Sequence, residues 1–332
     1  MSIQVAIVGL GQIGTSIGLG LEEQKSRFTR IGHDKDFGLA RQAEKKGALD
    51  KTSMNLPGAV DGADIVILAV PQDQVRQTME VMAPDLRENS VVLDFSPIKR
   101  VVLDWAAELL PKGCHFIGLT PIINGLYLNS PDSGQNAARA DLFKNGLLGI
   151  VSPVGTPEAA LKLATDLAQI LGADHLFLDQ VEADSFLAAL HLLPQLAAAA
   201  LIKTASQQPG WRDGIKMTGR AFAEQTLTIG HLDEPAALAL AAQHSKEHTL
   251  RAIDQLIQTL YGLRDAVETE DGETLAKDLE EARQAYDSWL GERSAGQWAA
   301  RELSTKEEAP RAGEFFGRMF GIRPKDSRKD KK

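Results

Sequence analysis

Three glycines near the start of the chain have the spacing of a phosphate-binding turn. Gly9, Gly11 and Gly14 follow an apolar run over residues 5–8. In this spacing the first glycine allows a sharp turn after a strand, the second lets the backbone approach a pyrophosphate, and the third lets a helix pack closely on the strand. We therefore predict a dinucleotide-binding turn at this position.

The segment after these glycines completes the predicted turn. Residues 15–23 have a helical pattern, so the free N–H groups and the positive end of the helix dipole would face the phosphates. Gln12 and Ile13 lie inside the turn and belong to the predicted cofactor-binding residues. The order of strand, glycines and helix distinguishes such a turn from an ordinary glycine-rich loop.

Asp34 is the candidate for recognising the adenosine ribose. It stands twenty residues beyond Gly14 and follows a β-rich segment that ends at His33. A carboxylate at this position holds both ribose hydroxyls and favours NAD over NADP. Lys35 beside it keeps NADP possible, because an ammonium group binds phosphate as a point charge. The alternative is that Asp34 is an ordinary loop acid.

The loops after two later strands carry further candidates. In an open α/β sheet, ligands bind beyond the carboxyl ends of the strands. Val70 and Pro71 form a rigid turn that we expect to lie along the cofactor, unless Pro71 simply ends the strand. Ser96 and Lys99 would supply a hydroxyl and an ammonium group near the nicotinamide. For Lys99 the alternative is a solvated charge at a helix start.

The elements that must position these residues form an α/β half. Strand candidates are residues 5–9, 30–33, 65–69, 91–94, 115–119, 146–151 and 175–177. They alternate with helix candidates at residues 38–46, 74–83, 101–110 and 157–171. The last of these has Thr156 as its expected N-cap and Gly172 just past its end. The alternation predicts a Rossmann-like, doubly wound parallel sheet over residues 1–180, with helices on both faces.

The next part of the chain predicts an all-α domain over residues 181–303. From residue 182 alanine and leucine dominate, and apolar residues recur at helical spacing to about residue 298. Four or so long helices are expected, separated by breaks at residues 207–210, 231–235 and 270–272. Helices with apolar residues on more than one face need a partner surface, and a homodimer through this domain would supply it.

After residue 303 the composition becomes charged. Residues 304–332 are predicted to form a solvated, disordered tail. An amphipathic patch interrupts this tail and is a candidate docking segment; it consists of Phe315, Phe316, Met319, Phe320 and Ile322.

Composition narrows the functional classes. The chain has 332 residues, of which 43% are hydrophobic and 24% charged, as in ordinary soluble globular proteins. A formal net charge of -9 argues against a nucleic-acid partner. The single cysteine, Cys114, fits a reducing compartment and is expected to be packed rather than reactive. The histidines and acids show no metal-ligand spacing, so no metal is expected.

A cytoplasmic, non-membrane protein is expected. The first strand begins by Ile3, which leaves no room for a cleavable leader. The longest apolar stretch, residues 186–202, is interrupted by His191, Pro194 and Gln195. It therefore predicts a buried helix rather than a membrane span.

In the order of its segments the chain resembles the prephenate/arogenate dehydrogenases over roughly residues 3–300. The matching segments are the glycine turn, Asp34, Val70-Pro71, Asp94 to Lys99, the Thr120-Pro121 loop and the helix with Leu193-Pro194. This resemblance implies that prephenate or arogenate is oxidised at its ring carbinol while hydride passes to NAD(P)⁺ and carbon dioxide leaves. It also implies that a histidine accepts the hydroxyl proton.

The catalytic motifs depart from the family pattern. Thr120 stands where the resemblance implies the catalytic histidine, and its hydroxyl is a weak base at neutral pH. The family's serine falls on Pro97, with Ser96 as its neighbouring substitute. His191 lies one residue upstream of a family histidine, which in a regular helix turns it by about 100°. It remains the best candidate base, and the alternative is an ordinary helix histidine.

The arginines that the family uses for substrate carboxylates are also missing. Residues 221–227, which match that segment, contain no arginine. Arg220 lies three residues before Ala223, so in a helix it is the candidate to reach the same pocket. The alternative is a solvated surface arginine.

The sequence alone leaves three functions possible. The first is an NAD(P)-dependent oxidoreductase of the prephenate/arogenate dehydrogenase type, in tyrosine biosynthesis, with hydride transfer to or from a small molecule between the two domains. The second is a dinucleotide-binding sensor or regulatory protein without dehydrogenase turnover. The third is a reductase of an imine or β-hydroxyacid, because such enzymes pair a similar cofactor domain with an α-helical one.

Overall fold

A computed structural model describes residues 2–232, 234–296 and 298 of the chain. The predicted tail over residues 304–332, with its amphipathic patch, lies outside the described residues. Within them the chain forms a sheet-based half followed by a helical half, which confirms the predicted fold class.

Eight strands form one sheet in the order β3-β2-β1-β4-β5-β6-β7-β8. They are β1 (Ile3–Val8), β2 (Phe28–His33), β3 (Lys51–Thr52), β4 (Ile65–Leu68), β5 (Val91–Asp94), β6 (His115–Ile122), β7 (Leu147–Val151) and β8 (Asp174–Phe177). All seven predicted strands are present with small shifts at their ends, and only the short β3 was not predicted. The strand order reverses between β1 and β4, and the crevice at such a reversal is where open α/β sheets bind ligands.

The sheet is not parallel throughout, which corrects the prediction. β7 runs antiparallel to β6, with Thr120 opposite Gly149 and Ile122 opposite Leu147. A parallel pair needs a crossover that returns the chain to the starting edge of the sheet. Residues 123–146 contain only short 3₁₀ turns and begin and end at the same edge, so β7 has to run back.

Six helices cover the two faces of the sheet. They are α1 (Gln12–Gly20), α2 (Phe37–Lys45), α3 (Leu56–Val60), α4 (Val75–Met82), α5 (Arg100–Leu109) and α6 (Glu158–Ile170). Ile67 packs in the core on one face, with Leu163 of α6, and Val66 packs in the core on the other face, with Met79 of α4. Adjacent strand residues thus enter opposite cores, as expected for a strand buried between two helical layers.

The start of α6 differs from the prediction. Pro157 rather than Thr156 is the N-cap residue. The Thr156 hydroxyl donates instead to the carbonyl oxygen of Pro153 at 2.7 Å, so it is engaged in the preceding turn. Gly172 does lie just past the helix, with a φ of 72° that suits glycine.

The helical half contains more elements than the four or so that the sequence predicted. They are α7 (Gln180–Leu187), a π-helical turn (Ala188–Leu192), α8 (Leu193–Ser206), α9 (Trp211–Gly214), α10 (Arg220–Gly230), α11 (Pro235–His244), α12 (Lys246–Glu268) and α13 (Gly272–Ala295). The three predicted breaks fall between α8 and α9, between α10 and α11, and between α12 and α13. Further breaks before α10 and at Ser245 were not predicted.

The segment over residues 186–202 is not the buried helix that was expected. It belongs to a continuous helix over Gln180–Ser206, and only 17% of the most apolar 18-residue window of that helix is buried. With a mean hydropathy of 1.8 in this window, the helix is long and apolar enough to cross a membrane by length and composition. Phe186 and Leu190 are exposed because no other part of the described chain covers them.

The two halves meet where the loop after β5 contacts the helical half. Ile98 in this loop is fully buried and packs with Leu192 of the π-helical turn. Asp184 on α7 accepts hydrogen bonds from the backbone N–H of Lys99 at 2.6 Å and of Arg100 at 3.2 Å. Such N–H groups at a helix N-terminus lack partners within the helix. A side chain of the helical half therefore caps a helix of the sheet half.

Candidate functional site

The glycine turn joins β1 to α1 with two close backbone contacts. Gly9 has a φ of 90°, and a Cβ added to it would lie 2.4 Å from the Ala69 carbonyl oxygen. A Cβ on Gly14 would lie 1.9 Å from the Gly9 carbonyl oxygen, so α1 sits directly on the turn. A Cβ on Gly11 would meet nothing within 4 Å. Gly9 and Gly14 thus serve the fold, and Gly11 leaves open space at the start of α1.

That open space belongs to a cavity of about 470 Å³ at the crevice between β1 and β4. Five of the predicted cofactor-binding residues line it together: Gly9, Gly11, Asp34, Val70 and Pro71. α1 begins at this cavity and has no acidic side chain in its first turn. The arrangement suits a diphosphate, because helix N-terminal N–H groups bind anions.

Three of the predicted cofactor-binding residues do not line the cavity: Gly14, which is packed against the Gly9 carbonyl, Gln12 and Ile13. Gln12 directs its amide toward the Ala137 carbonyl oxygen at 3.4 Å. Ile13 packs against the core between the sheet and α1. Both side chains therefore help to hold the turn in place.

The Asp34 carboxylate has a fixed orientation. One of its oxygens accepts from the Leu10 N–H at 2.7 Å and the other from the Asp36 N–H at 2.9 Å. Each carboxylate oxygen has two lone pairs, so each retains one for a ribose hydroxyl. Lys35, next in the chain, donates to Glu234 of the helical half at 3.0 Å, and this hydrogen bond raises the pKa of Lys35.

The loop after β5 is closed by a buried ion pair. The Ser96 hydroxyl donates to an Asp94 carboxylate oxygen at 2.7 Å, and the Lys99 ammonium group donates to the same oxygen at 3.2 Å. Lys99 also donates to the Ser96 carbonyl oxygen. All three side chains are buried, and burial lowers the pKa of Lys99 against the opposing effect of Asp94. The expected presentation of Ser96 and Lys99 to a nicotinamide is therefore not what the structure has.

Thr120 lies in β6 close to this loop. Its hydroxyl oxygen is buried and has no hydrogen-bond partner. Its side chain lies on the same face of the sheet as Gly118, where an added Cβ would meet the Lys99 side chain at 2.8 Å. The position that resembles the family's catalytic histidine thus holds an unpaired hydroxyl and no base.

His191 lies in the π-helical turn between α7 and α8 and does not line the cavity. More than a third of the residue is exposed, yet the atoms crowded around the imidazole lower its pKa by desolvation. Gln195 lies beside it, with its amide nitrogen 3.4 Å from the ring. A π-helical turn adds a residue to the helical repeat. The rotation of about 100° expected for a regular helix therefore does not apply at His191.

Arg220 does not reach the cavity. It is the first residue of α10, its side chain is 89% exposed, and it pairs with Glu224 at 2.6 Å. Within the described chain this is a solvated pair one helical turn apart, the alternative that the sequence had left open.

Two residues that sequence reasoning missed complete the cavity wall. Gln135, from the connection between β6 and β7, is buried and donates to the carbonyl oxygens of Leu10 and Leu39, both at 2.9 Å. Glu234 enters from the helical half. Both act on segments at least 96 residues away in the chain, so no local pattern reveals them. In the described part of the chain, no group of three His, Cys, Asp or Glu residues could hold a metal ion.

Comparison with known proteins gives consistent matches. Residues 17–176 match the sequence model of the nucleotide-binding domain of prephenate dehydrogenase. The chain is 25% identical to the prephenate dehydrogenase of Bacillus subtilis over 86% of this chain and 76% of that protein. It is also 25% identical to the cyclohexadienyl dehydrogenase of Zymomonas mobilis, over 85% and 94% of the two chains.

A solved structure supports the fold. It is the prephenate dehydrogenase of A. aeolicus in complex with hydroxyphenyl propionate and NAD⁺, with a TM-score of 0.75 and 21% identity. The alignment covers 87% of this chain and 98% of that one. The family match begins at residue 17, so the glycine turn rests on its own geometry.

Alanine substitutions at two glycines should separate folding from nucleotide binding. Gly14→Ala forces the Gly9 carbonyl to move, so we expect it to lower the free energy of unfolding by about 3 kcal/mol, at the upper end of overpacking costs. Gly11→Ala meets open space and should preserve stability, but it should weaken NADH binding roughly tenfold by occupying the place of a pyrophosphate. Urea denaturation and fluorescence titration measure the two effects. Equal loss of stability in both variants would contradict this division of roles.

Proposed function

The chain belongs to the prephenate dehydrogenase family, and from this premise we propose that it is an NAD-dependent dehydrogenase acting on prephenate, arogenate or a related cyclohexadienol. The observation that carries the proposal is the shared cavity of Gly9, Gly11, Asp34, Val70 and Pro71 at the reversal of the strand order. A soluble, cytoplasmic enzyme of tyrosine biosynthesis is proposed on the same basis.

The chain's own residues suit an adenine dinucleotide. The start of α1 and Gly11 would hold the diphosphate, and Asp34 the adenosine ribose. Val70 and Pro71 would lie along the nicotinamide side of the cavity. When bound, the nicotinamide supplies the hydride acceptor. Asp34 supports NAD over NADP because its carboxylate would repel a 2′-phosphate.

His191 is the proposed general base for the substrate hydroxyl. It sits on the helix whose buried neighbours pack against Ile98, so it belongs to the junction of the two halves. Its lowered pKa keeps the imidazole neutral near pH 7, the form that accepts a proton. Thr120 cannot take this role, because a hydroxyl is far too weak a base.

The polar groups around the site favour a substrate with less net negative charge than prephenate. Lys99 is neutralised by Asp94 inside its loop, and Arg220 is paired with Glu224 at the surface. Neither is free to bind a carboxylate in the described chain. Bidentate recognition of carboxylates is the task for which arginine is suited. We therefore propose that arogenate, whose ammonium group offsets one of its two carboxylates, or a monocarboxylate is turned over better than prephenate.

A homodimer through the helical half is proposed as the functional assembly. Large apolar side chains of this half are more than a third exposed; among them are Phe186, Leu190, Leu201, Leu227, Leu260, Val267, Leu279 and Trp289. Large exposed apolar side chains in this number are what a protein interaction site would bury. A second copy is the proposed partner because helical layers of this kind commonly pair in symmetric dimers.

Nucleotide titration followed by turnover tests the proposed function. NADH should bind more tightly than NADPH, and NAD⁺ should be reduced in the presence of arogenate or prephenate, followed by absorbance of the reduced nucleotide. NADH binding without turnover of either would favour the dinucleotide-binding sensor, which the buried Ser96 and Lys99 also support. Turnover of imines or β-hydroxyacids alone would favour the third function. Failure to bind either nucleotide would reject all three.

Replacing His191 tests the assignment of the base. His191→Asn should lower kcat by about 10²–10⁴-fold, the usual contribution of a general base. Because desolvation lowers the pKa of His191, the wild-type kcat/KM should fall on the acid side with a midpoint below the ordinary value of 6.5. This acid limb should be absent in the variant. His175→Asn, on the outer strand β8, is the matched control, and an unchanged pH profile in His191→Asn would refute the assignment.

Sedimentation velocity tests the homodimer. The wild type should sediment as a dimer at micromolar concentration, and Leu190→Lys should raise the dimer dissociation constant by roughly 30-fold or more if Leu190 is a central contact. Val154→Lys changes an even more exposed apolar residue, which lies in the sheet half, and should leave the dimer intact. A monomeric wild type would overturn the assembly.

A further inference from the structure

We propose that Glu234 is a cofactor-specificity residue. It pairs with the Lys35 ammonium group and so excludes the 2′-phosphate of NADP. The inference rests on the proposed function and extends it to a residue of the helical half. Lys35 follows Asp34 on the rim of the cavity, and Glu234 directly precedes α11. Their side chains meet at 3.0 Å across a separation of 199 residues.

Lys35 is the group that would admit NADP. A 2′-phosphate adds about two negative charges to the ribose that Asp34 is placed to hold. A lysine next to the ribose position binds phosphate as a point charge. In this chain, however, the Lys35 ammonium donates to Glu234, and the charges of Asp34 and Asp73 act on it as well. Three carboxylates therefore act on one ammonium group, and one of them is in direct contact with it.

The balance of charge decides the selectivity. Asp34, Asp73 and Glu234 together outnumber Lys35, so the rim carries a net negative charge where the 2′-phosphate would lie, and Glu234 both adds to that charge and pairs with the ammonium group. The unmodified ribose of NAD is uncharged and needs only the two acceptor oxygens of Asp34. The arrangement thus repels NADP and leaves NAD unaffected.

Glu234 and Asp34 reach the cavity from different halves of the chain. Asp34 is fixed by backbone N–H groups of the sheet half, whereas Glu234 reaches the same cavity from the loop before α11. Both members of the Lys35–Glu234 pair are well exposed, with 66% and 40% of the side chains accessible. Such surface pairs add little to stability. Removing Glu234 should therefore change nucleotide choice without changing the fold.

Glu234→Gln tests the inference by nucleotide binding alone. We expect the dissociation constant of NADPH to fall about tenfold, within the range for removing one charge near a protein surface. The dissociation constant of NADH and the midpoint of thermal unfolding should stay near their wild-type values. Fluorescence titration without substrate measures both nucleotides. Glu268→Gln removes a similar exposed pair, with Arg264 at 2.7 Å on α12, and should alter neither affinity.

A double variant shows whether Lys35 is the group released. Lys35→Gln combined with Glu234→Gln should abolish the gain in NADPH affinity. An unchanged NADPH affinity in Glu234→Gln, a parallel loss for both nucleotides, or a gain that persists in the double variant would each overturn the inference. Wild-type protein that binds neither nucleotide would instead refute the proposed function itself.

Discussion

One buried carboxylate joins a helix of the helical half to a helix of the sheet half. Asp184, which is 3% exposed, accepts the backbone N–H groups of Lys99 and Arg100 at the start of α5. Burial raises the pKa of Asp184, and these hydrogen bonds oppose the rise. Because a buried carboxylate is costly unless its oxygens are satisfied, the helix that carries it cannot move away from α5 without leaving both partners unpaired.

The loop after β5, whose end Asp184 binds, is also held by interactions among its own side chains. Lys99 is neutralised by Asp94, and Ser96 completes the set with its hydroxyl. Breaking a buried ion pair by removing one partner leaves an uncompensated charge, so such a cluster keeps its geometry. The family resemblance places Ser96 and Lys99 near the nicotinamide, but in this structure they hold the loop after β5 together. The proposed general base, His191, lies instead in the helical half.

The parts of the site that depend on residues close together in the chain could be predicted from the sequence. The glycine turn, the strands and Asp34 follow from local spacing, because close backbone contacts and strand ends require particular residue types within a few positions. The antiparallel β7 could not be predicted in this way, since its direction depends on the path of residues 123–146. The same holds for Gln135 and Glu234, whose partners lie far away in the chain. The π-helical turn at His191 is likewise a property of backbone pairing that helical spacing does not reveal.

The reversal of direction at β7 leaves the connection between β6 and β7 on the ligand-binding edge of the sheet. Gln135 in this connection donates hydrogen bonds to the carbonyl oxygens of Leu10 and Leu39. These bonds hold the connection against the glycine turn and α2. Since no crossover helix has to fit there, insertions and deletions within the connection need not disturb strand pairing. Length variation in this stretch is therefore a route by which the enzyme could acquire a new ligand preference while its scaffold stays intact.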